Sequence, residues 1–363
     1  MQNKLKIRQV IRPDVKAMNA YVVQDSNGFV KLDAMENPYT LNTSLQAELG
    51  QRLGSVAVNR YPGQRIHDLQ NALAQYCKLP DNYELILGNG SDELISMLAI
   101  AIDQPDASIM APLPGFVMYE MSAKLQGIPF VGVDLTANFE LDVETMLQAI
   151  HTHQPALVYL AYPNNPTANL WSDDDMHSVI QACETVGSWV VIDEAYQPFA
   201  SQSFIEEMTQ YQNVLLLRTL SKFGLAGIRL GYLIGPSSII SQIDKVRPPY
   251  NISVLNAECA LFALEHQEEF KRQAQLICQE RESLLAQLSQ IPQLQVYPSQ
   301  ANMILLRLHQ PNSAADIFKA MREQGVLIKN VSSLHKLLDN CLRITVGTAQ
   351  ENQQMMKALK ACL

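Results

Sequence analysis

This sequence predicts an α/β fold: a large domain with a mostly parallel sheet sandwiched by helices, joined to a smaller α+β domain. Three observations carry that expectation. From about residue 65 to 235, short and nearly unbroken apolar runs alternate with amphipathic helical stretches. Strands buried on both faces of a parallel sheet read as such runs, and their alternation with helices covers both faces. After PPYNISVLN (248–256) the pattern changes to a long helical region followed by shorter strands. Finally, 363 residues, 47% of them hydrophobic and 17% charged, suit about two domains with sizeable cores.

The elements follow in order. The segment around NGFVKLDAMENPY (27–39) is short and strand-like and is assigned to the small domain. IHDLQNALAQYC (66–77) and SDELISMLAIAI (91–102) carry the helical period. The strand runs are ELILG (84–88), ASIMAP (107–112), IPFVGVDL (128–135), ALVYLAYP (156–163), WVVIDEAY (189–196), VLLLRTL (214–220) and RLGYLIG (229–235). A long helical region is expected over roughly 256–289. The strands LQVYPSQANMILLRL (294–308), GVLIKN (325–330) and CLRITVG (341–347) come after it. The large domain is therefore expected over 42–250, and the small one over 1–41 and 251–363.

Composition removes several function classes. A formal net charge of -9 without a run of like charges argues against nucleic acid or an anionic membrane as the main partner. No apolar run has the length of a signal core or a membrane span, so a soluble, cytoplasmic protein is expected. The six cysteines lack any CxxC pair, which predicts reduced thiols. His151 and His153 in HTHQ have no partner cluster, so they are expected in a loop and no metal site is assigned.

In open α/β sheets the ligand lies beyond the C-terminal strand ends, so the residues following each strand matter most. GNGSDE (88–93) follows the first strand and opens a helix. Its glycines admit a close ligand, Ser91 or Asp92 can cap the helix, and the helix N-terminus favours an anion. The motif is neither a dinucleotide fingerprint nor a P-loop, and an ordinary capped turn fits it equally well. YPNNPTAN (162–169) fixes an irregular turn that aims an amide, best Asn165, into the cleft. Asp193 ends a buried strand, where an unpaired carboxylate is costly, and Tyr196 can share its site. Ser221 and Lys222 follow the next strand, with Arg229 seven residues beyond the lysine. Alone, each fragment also fits a turn or a solvated loop. Together, an amide, a carboxylate, a phenol, a lysine and an arginine at successive strand ends suit a pyridine ring that carries a phosphate and an aldehyde.

The motifs AMENPY, NRYPG, GNGSDE, PGFVMY, YPNNPT, VVIDEAY, RTLSKFGLAGIRLGY and CLRITVGT occur in one order over nearly the whole chain. In this the chain resembles the fold-type I pyridoxal-phosphate aminotransferases of the aspartate-aminotransferase superfamily, most of all the histidinol-phosphate aminotransferases. The resemblance implies pyridoxal 5'-phosphate as cofactor, with Lys222 binding its aldehyde and serving as base, and Asp193 pairing with the ring nitrogen. It implies that Tyr196 and Asn165 bond the ring oxygen. Ser221, Arg229, Gly90 and Ser91 would hold the phosphate, with Asp92 beside them, and Tyr119 would stack on the ring. Tyr61 would reach the neighbouring subunit's site, which implies a homodimer. Arg343 would clamp the anionic end of the substrate, and Tyr21 and Asn37 would face it.

Two departures bear on this. Ala168 stands where glycine is usual, and Lys329 stands where a second substrate arginine is expected, offering a point charge for a bidentate fork. Lys329 keeps threonine-phosphate decarboxylase and broad aromatic aminotransferase chemistry open beside amine transfer between L-histidinol phosphate and 2-oxoglutarate. A DNA-binding regulator on this fold lacks a basic recognition helix here, and a nicotinamide dehydrogenase lacks its glycine fingerprint.

Overall fold

The protein's computed structural model describes residues 10–18, 20 and 24–363. Tyr21 lies outside the described residues. Seven strands form the large sheet: β1 (Tyr83–Gly88), β2 (Ile109–Leu113), β3 (Phe130–Asp134), β4 (Leu157–Ala161), β5 (Trp189–Asp193), β6 (Val214–Thr219) and β7 (Gly231–Pro236). Their order is β1-β7-β6-β5-β4-β2-β3. Only β7 runs antiparallel to its neighbours.

The period of two in these strands divides their residues between two cores. Val158, Leu160, Val190, Ile192 and Leu216 pack on one face against Leu69 and Leu73 of α2 (Gln64–Cys77). Leu157, Tyr159, Val191, Leu215 and Leu217 pack on the other, against α3 (Ser91–Ala101) and α4 (Met118–Gln126). Every residue of β4 and β6 is buried, which is why these runs show no polar alternation. Each fully buried Leu or Ile contributes about 1.5–3 kcal/mol.

The small sheet has four antiparallel strands in the order β10-β11-β9-β8, with β8 Leu294–Val296, β9 Met303–Leu308, β10 Lys329–Asn330 and β11 Cys341–Thr345. Val30–Lys31 pairs in parallel with Val326–Leu327, so the N-terminal segment joins this end of the molecule.

The helical region expected over 256–289 consists of two helices, α7 (Val254–Glu265) and α8 (Gln267–Leu288), broken at His266. The ring of His266 packs on Phe262 and its Nε2 meets Glu48, which holds the break in place. α7 buries Ala257, Ala260 and Leu261 in the large-sheet core, and Phe270 of α8 joins the same core. One expectation needs correction: His151 and His153 close α5 (Val143–His153) and are not in a loop. Among the described residues no helix is long and apolar enough to cross a membrane.

Candidate active site

Strand register brings the site residues together. Ala161 pairs with Asp193, Thr219 with Gly231, and Gly231 with Gly88, so the ends of β4, β5, β6 and β1 open on one crevice. A cavity of about 490 Å³ fills it. The N-terminal segment closes the opposite wall with Lys31, Ala34, Met35 and Glu36.

At one end stands the N-terminus of α3. Neither Ser91 nor Asp92 caps it as expected: the preceding residue is Gly90, at φ 80°, and no side chain caps the turn. Its N–H groups therefore keep their affinity for an anion. Arg229, itself left-handed at φ 48°, reaches across this helix end. Its Nη1 donates to Ser221 Oγ at 3.2 Å, and its Nη2 lies 3.4 Å from Asp92 Oδ2. A Cβ on Gly90 would come within 2.6 Å of Nη2, so glycine is required for the guanidinium to pass. Gly231 allows a second close approach, because a Cβ there would meet Ser91 N at 2.7 Å and Gly90 C at 2.8 Å.

Lys222 lies in a wide helical turn, Ser221–Leu225, directly after β6. Its Nζ donates to Ala34 O at 3.1 Å and sits over the Tyr196 ring at 5.9 Å. The side chain is half-buried and lines the cavity. Desolvation leads, with Arg343 and Arg229 adding to it, and lowers the amine to about 8. Asp193, only 4% exposed, is pushed up to about 6 by burial. Its Oδ1 accepts from Ala195 N at 3.0 Å and its Oδ2 from the Tyr119 hydroxyl at 2.7 Å.

A polar chain crosses the floor. Arg343 Nη1 donates to Asn165 Oδ1 at 2.7 Å, and Asn165 Nδ2 donates to the Tyr196 hydroxyl at 3.1 Å. Arg343 Nη2 donates to Asp33 O, which ties β11 to the N-terminal wall. Lys329 lies directly opposite Arg343 in β10 and does not line the cavity.

Two further residues, Tyr119 and Asn37, stand differently from the sequence expectation. Tyr119 borders the cavity, but its ring face is taken by Tyr159, stacked at 4.2 Å, and its hydroxyl by Asp193. The half-buried aromatic of PGFVMY in the cavity wall is Phe116, which the sequence reading missed. It is the first aromatic after β2, at the same strand-end position that marked the other residues. Asn37 turns away: its Nδ2 donates to Gln273 Oε1 and its Oδ1 accepts from Tyr39 N. Tyr61 lies outside this cavity, 74% exposed and stacked on Tyr250 at 4.0 Å.

The family model for aminotransferase class I and II matches residues 28–359, nearly the whole chain. The chain belongs to that family. Other sequences reach further than the family signature. Proteins named histidinol-phosphate aminotransferase from Polaromonas naphthalenivorans and Methylibium petroleiphilum are each 58% identical over 358 residues. These matches cover 99% of this chain and 97% and 96% of the relatives. The crystal structure of histidinol-phosphate aminotransferase from Sinorhizobium meliloti in complex with pyridoxal-5'-phosphate matches with a TM-score of 0.83 at 24% identity, covering 97% of both chains. L-threonine-O-3-phosphate decarboxylase from Porphyromonas gingivalis matches at 0.76 and 21%, covering 91% of this chain and 98% of that one. At these identities both matches establish the shared fold, and the fold does not choose between transfer and decarboxylation.

Proposed function

We propose that this aminotransferase uses pyridoxal 5'-phosphate to move the amino group between L-histidinol phosphate and 2-oxoglutarate, giving imidazole-acetol phosphate and glutamate in histidine biosynthesis. The observation that carries this reading is the 58% identity, end to end, with proteins of that name. Decarboxylation on the same fold is the alternative reading, and the half-reaction below separates the two.

The cavity residues fit the cofactor. An uncapped helix N-terminus, Ser221 and Arg229 gather donors for a phosphate at one end. Asp193 supplies a buried carboxylate deep in the cleft for a ring N–H, and Lys222 supplies an amine whose neutral form is accessible near pH 8. Asn165 and Tyr196 are already hydrogen-bonded to each other and can turn their donors to a ring oxygen. Phe116, and not Tyr119, is the aromatic we assign to the ring's face.

When bound, the cofactor supplies an aldehyde that condenses with amines and a ring that withdraws electrons. The chain supplies the rest. Lys222 would hold the aldehyde, and as a free amine it would serve as the base for the proton on the substrate carbon. Asp193 would keep the ring nitrogen protonated. Arg343 receives a phosphate in one half-reaction and a carboxylate in the other, since its fork suits both anions.

Tyr61, exposed beside Tyr250, supports a homodimer in which it reaches the partner's site. Six free cysteines suit a reducing cytoplasm.

The test is a half-reaction without keto acid. Protein loaded with pyridoxal phosphate is mixed with L-histidinol phosphate, phenylalanine or O-phosphothreonine, and the visible absorbance is followed. Loss of that absorbance with histidinol phosphate alone supports the assignment. Loss only with another amine, or release of carbon dioxide, overturns it. Lys222→Ala should show neither the lysine-bound absorbance nor turnover.

A further inference from the structure

Asp193 is fixed by one backbone donor and one side-chain donor, and the side chain is Tyr119. Tyr119 is 2% exposed and belongs to α4, across the sheet end from β5. Its ring lies parallel to that of Tyr159, with 5° between the planes, and Phe116 meets it edge-on at 5.6 Å. Clamped between two aromatics, the phenol has one place to send its proton, Asp193 Oδ2 at 2.7 Å. Tyr159 beneath it has a buried hydroxyl with no hydrogen-bond partner, so that ring serves as packing.

Resting on the cofactor reading above, we propose that Tyr119 is a positioning residue for Asp193, clamping one carboxylate oxygen so that the group meets the ring nitrogen as an anion in a single orientation. Other ionisable groups around Asp193 are Tyr159 on β4, Asp92 on α3, Glu194 and Tyr196 beyond the end of β5, and Lys222 and Arg229 across the cavity. Asp92 and Glu194 oppose the anion. Apart from the Ala195 amide, the Tyr119 phenol is the only group found hydrogen-bonding the Asp193 carboxylate among the described residues.

The test reads Asp193 itself, without cofactor. The carboxylic C=O stretch of the apo-protein is titrated by infrared difference spectroscopy and assigned by its loss in Asp193→Asn. In Tyr119→Phe the midpoint should rise by about one to two pH units, since a hydrogen bond to a charged group has been removed. In Tyr159→Phe it should stay where it is in the wild type. A purely packing role for Tyr119 would leave the midpoint unmoved and overturn the proposal, as would an equal rise in Tyr159→Phe. If Tyr119→Phe does not fold, 3-fluorotyrosine at position 119 replaces it: its more acidic phenol should move the midpoint down, and no movement overturns the proposal. Pyridoxal phosphate is titrated into wild-type protein in parallel. Failure to bind there removes the cofactor reading and the ring-nitrogen role with it, whereas binding with an unmoved infrared midpoint removes Tyr119 alone.

Discussion

Lys222 is held between opposing fields. Burial, Arg343 and Arg229 favour the neutral amine, Glu36 and Asp92 favour the ammonium, and the balance falls at about 8. A lysine depressed from 10.5 destabilises the folded apo-protein wherever it is still charged. That penalty is full below pH 8 and disappears as pH rises from 8 to 10.5, because only the unfolded chain then binds the proton. Lys222→Met should therefore stabilise the apo-protein at pH 7 by about 1–3 kcal/mol and by little above pH 10.5. Urea unfolding at the two pH values measures this, and a variant less stable than wild type at pH 7 would contradict it. The lysine, the carboxylate and the amide were all legible in the sequence because each follows an apolar strand run. Tyr119 was legible only as an aromatic. Its partner Asp193 lies 74 residues away, and nothing local tells a ring that stacks on a ligand from one that stacks on Tyr159.

The start of α3 is where two elements come closest, and two glycines there fail for different reasons when substituted. A Cβ on Gly231 meets backbone atoms of Gly90 and Ser91, which cannot move without shifting the helix from β7. A Cβ on Gly90 meets the Arg229 guanidinium, which can swing aside. Gly231→Ala should accordingly cost about 1–3 kcal/mol of stability. Gly90→Ala should cost about 1–2 kcal/mol for its left-handed backbone and weaken pyridoxal phosphate binding in addition. Unfolding curves and cofactor titration of both variants check this. Equal affinity for the cofactor in Gly90→Ala and wild type would refute the role given to that arginine. Strands were legible at this scale, since β4, β5 and β6 are nearly continuous apolar runs, of which β5 and β6 turn polar only toward their C-terminal ends. The bare cap was not: GNGSDE offers a serine and an aspartate in capping position. Neither is used: Arg229 draws Asp92 aside, and Glu93 accepts from Asn89 N.

Across the whole molecule, an ion network joins segments that the sequence shows only as separate charges. Glu258 on α7 accepts from Arg65 at 2.7 Å and 2.9 Å and from Arg52, while Arg52 also pairs with Glu265. This ties α1 (Thr43–Gly54) and α2 to the helix that leads into the small domain, and it brackets the loop carrying Tyr61. Partners some 200 residues apart have no spacing rule, which is why this part of the architecture escaped the sequence while the strand ends did not. Hydrogen bonds from Arg65, then Arg52, hold the Glu258 carboxyl down at about 2. A lowered carboxyl stabilises the fold above its ordinary pKa of 4.5, and that stability is lost as pH falls from 4.5 toward 2. Glu258→Gln removes the charge but keeps the size. With Arg65 37% exposed and screened by water, the cost at pH 7 should be about 1–3 kcal/mol, below that of a fully buried pair. Urea unfolding between pH 7 and pH 3 should show a gap that is constant above about pH 5 and narrows below it. A gap that stayed constant down to pH 3 would mean that the glutamate acts through packing, and that charge does not hold these three helices together.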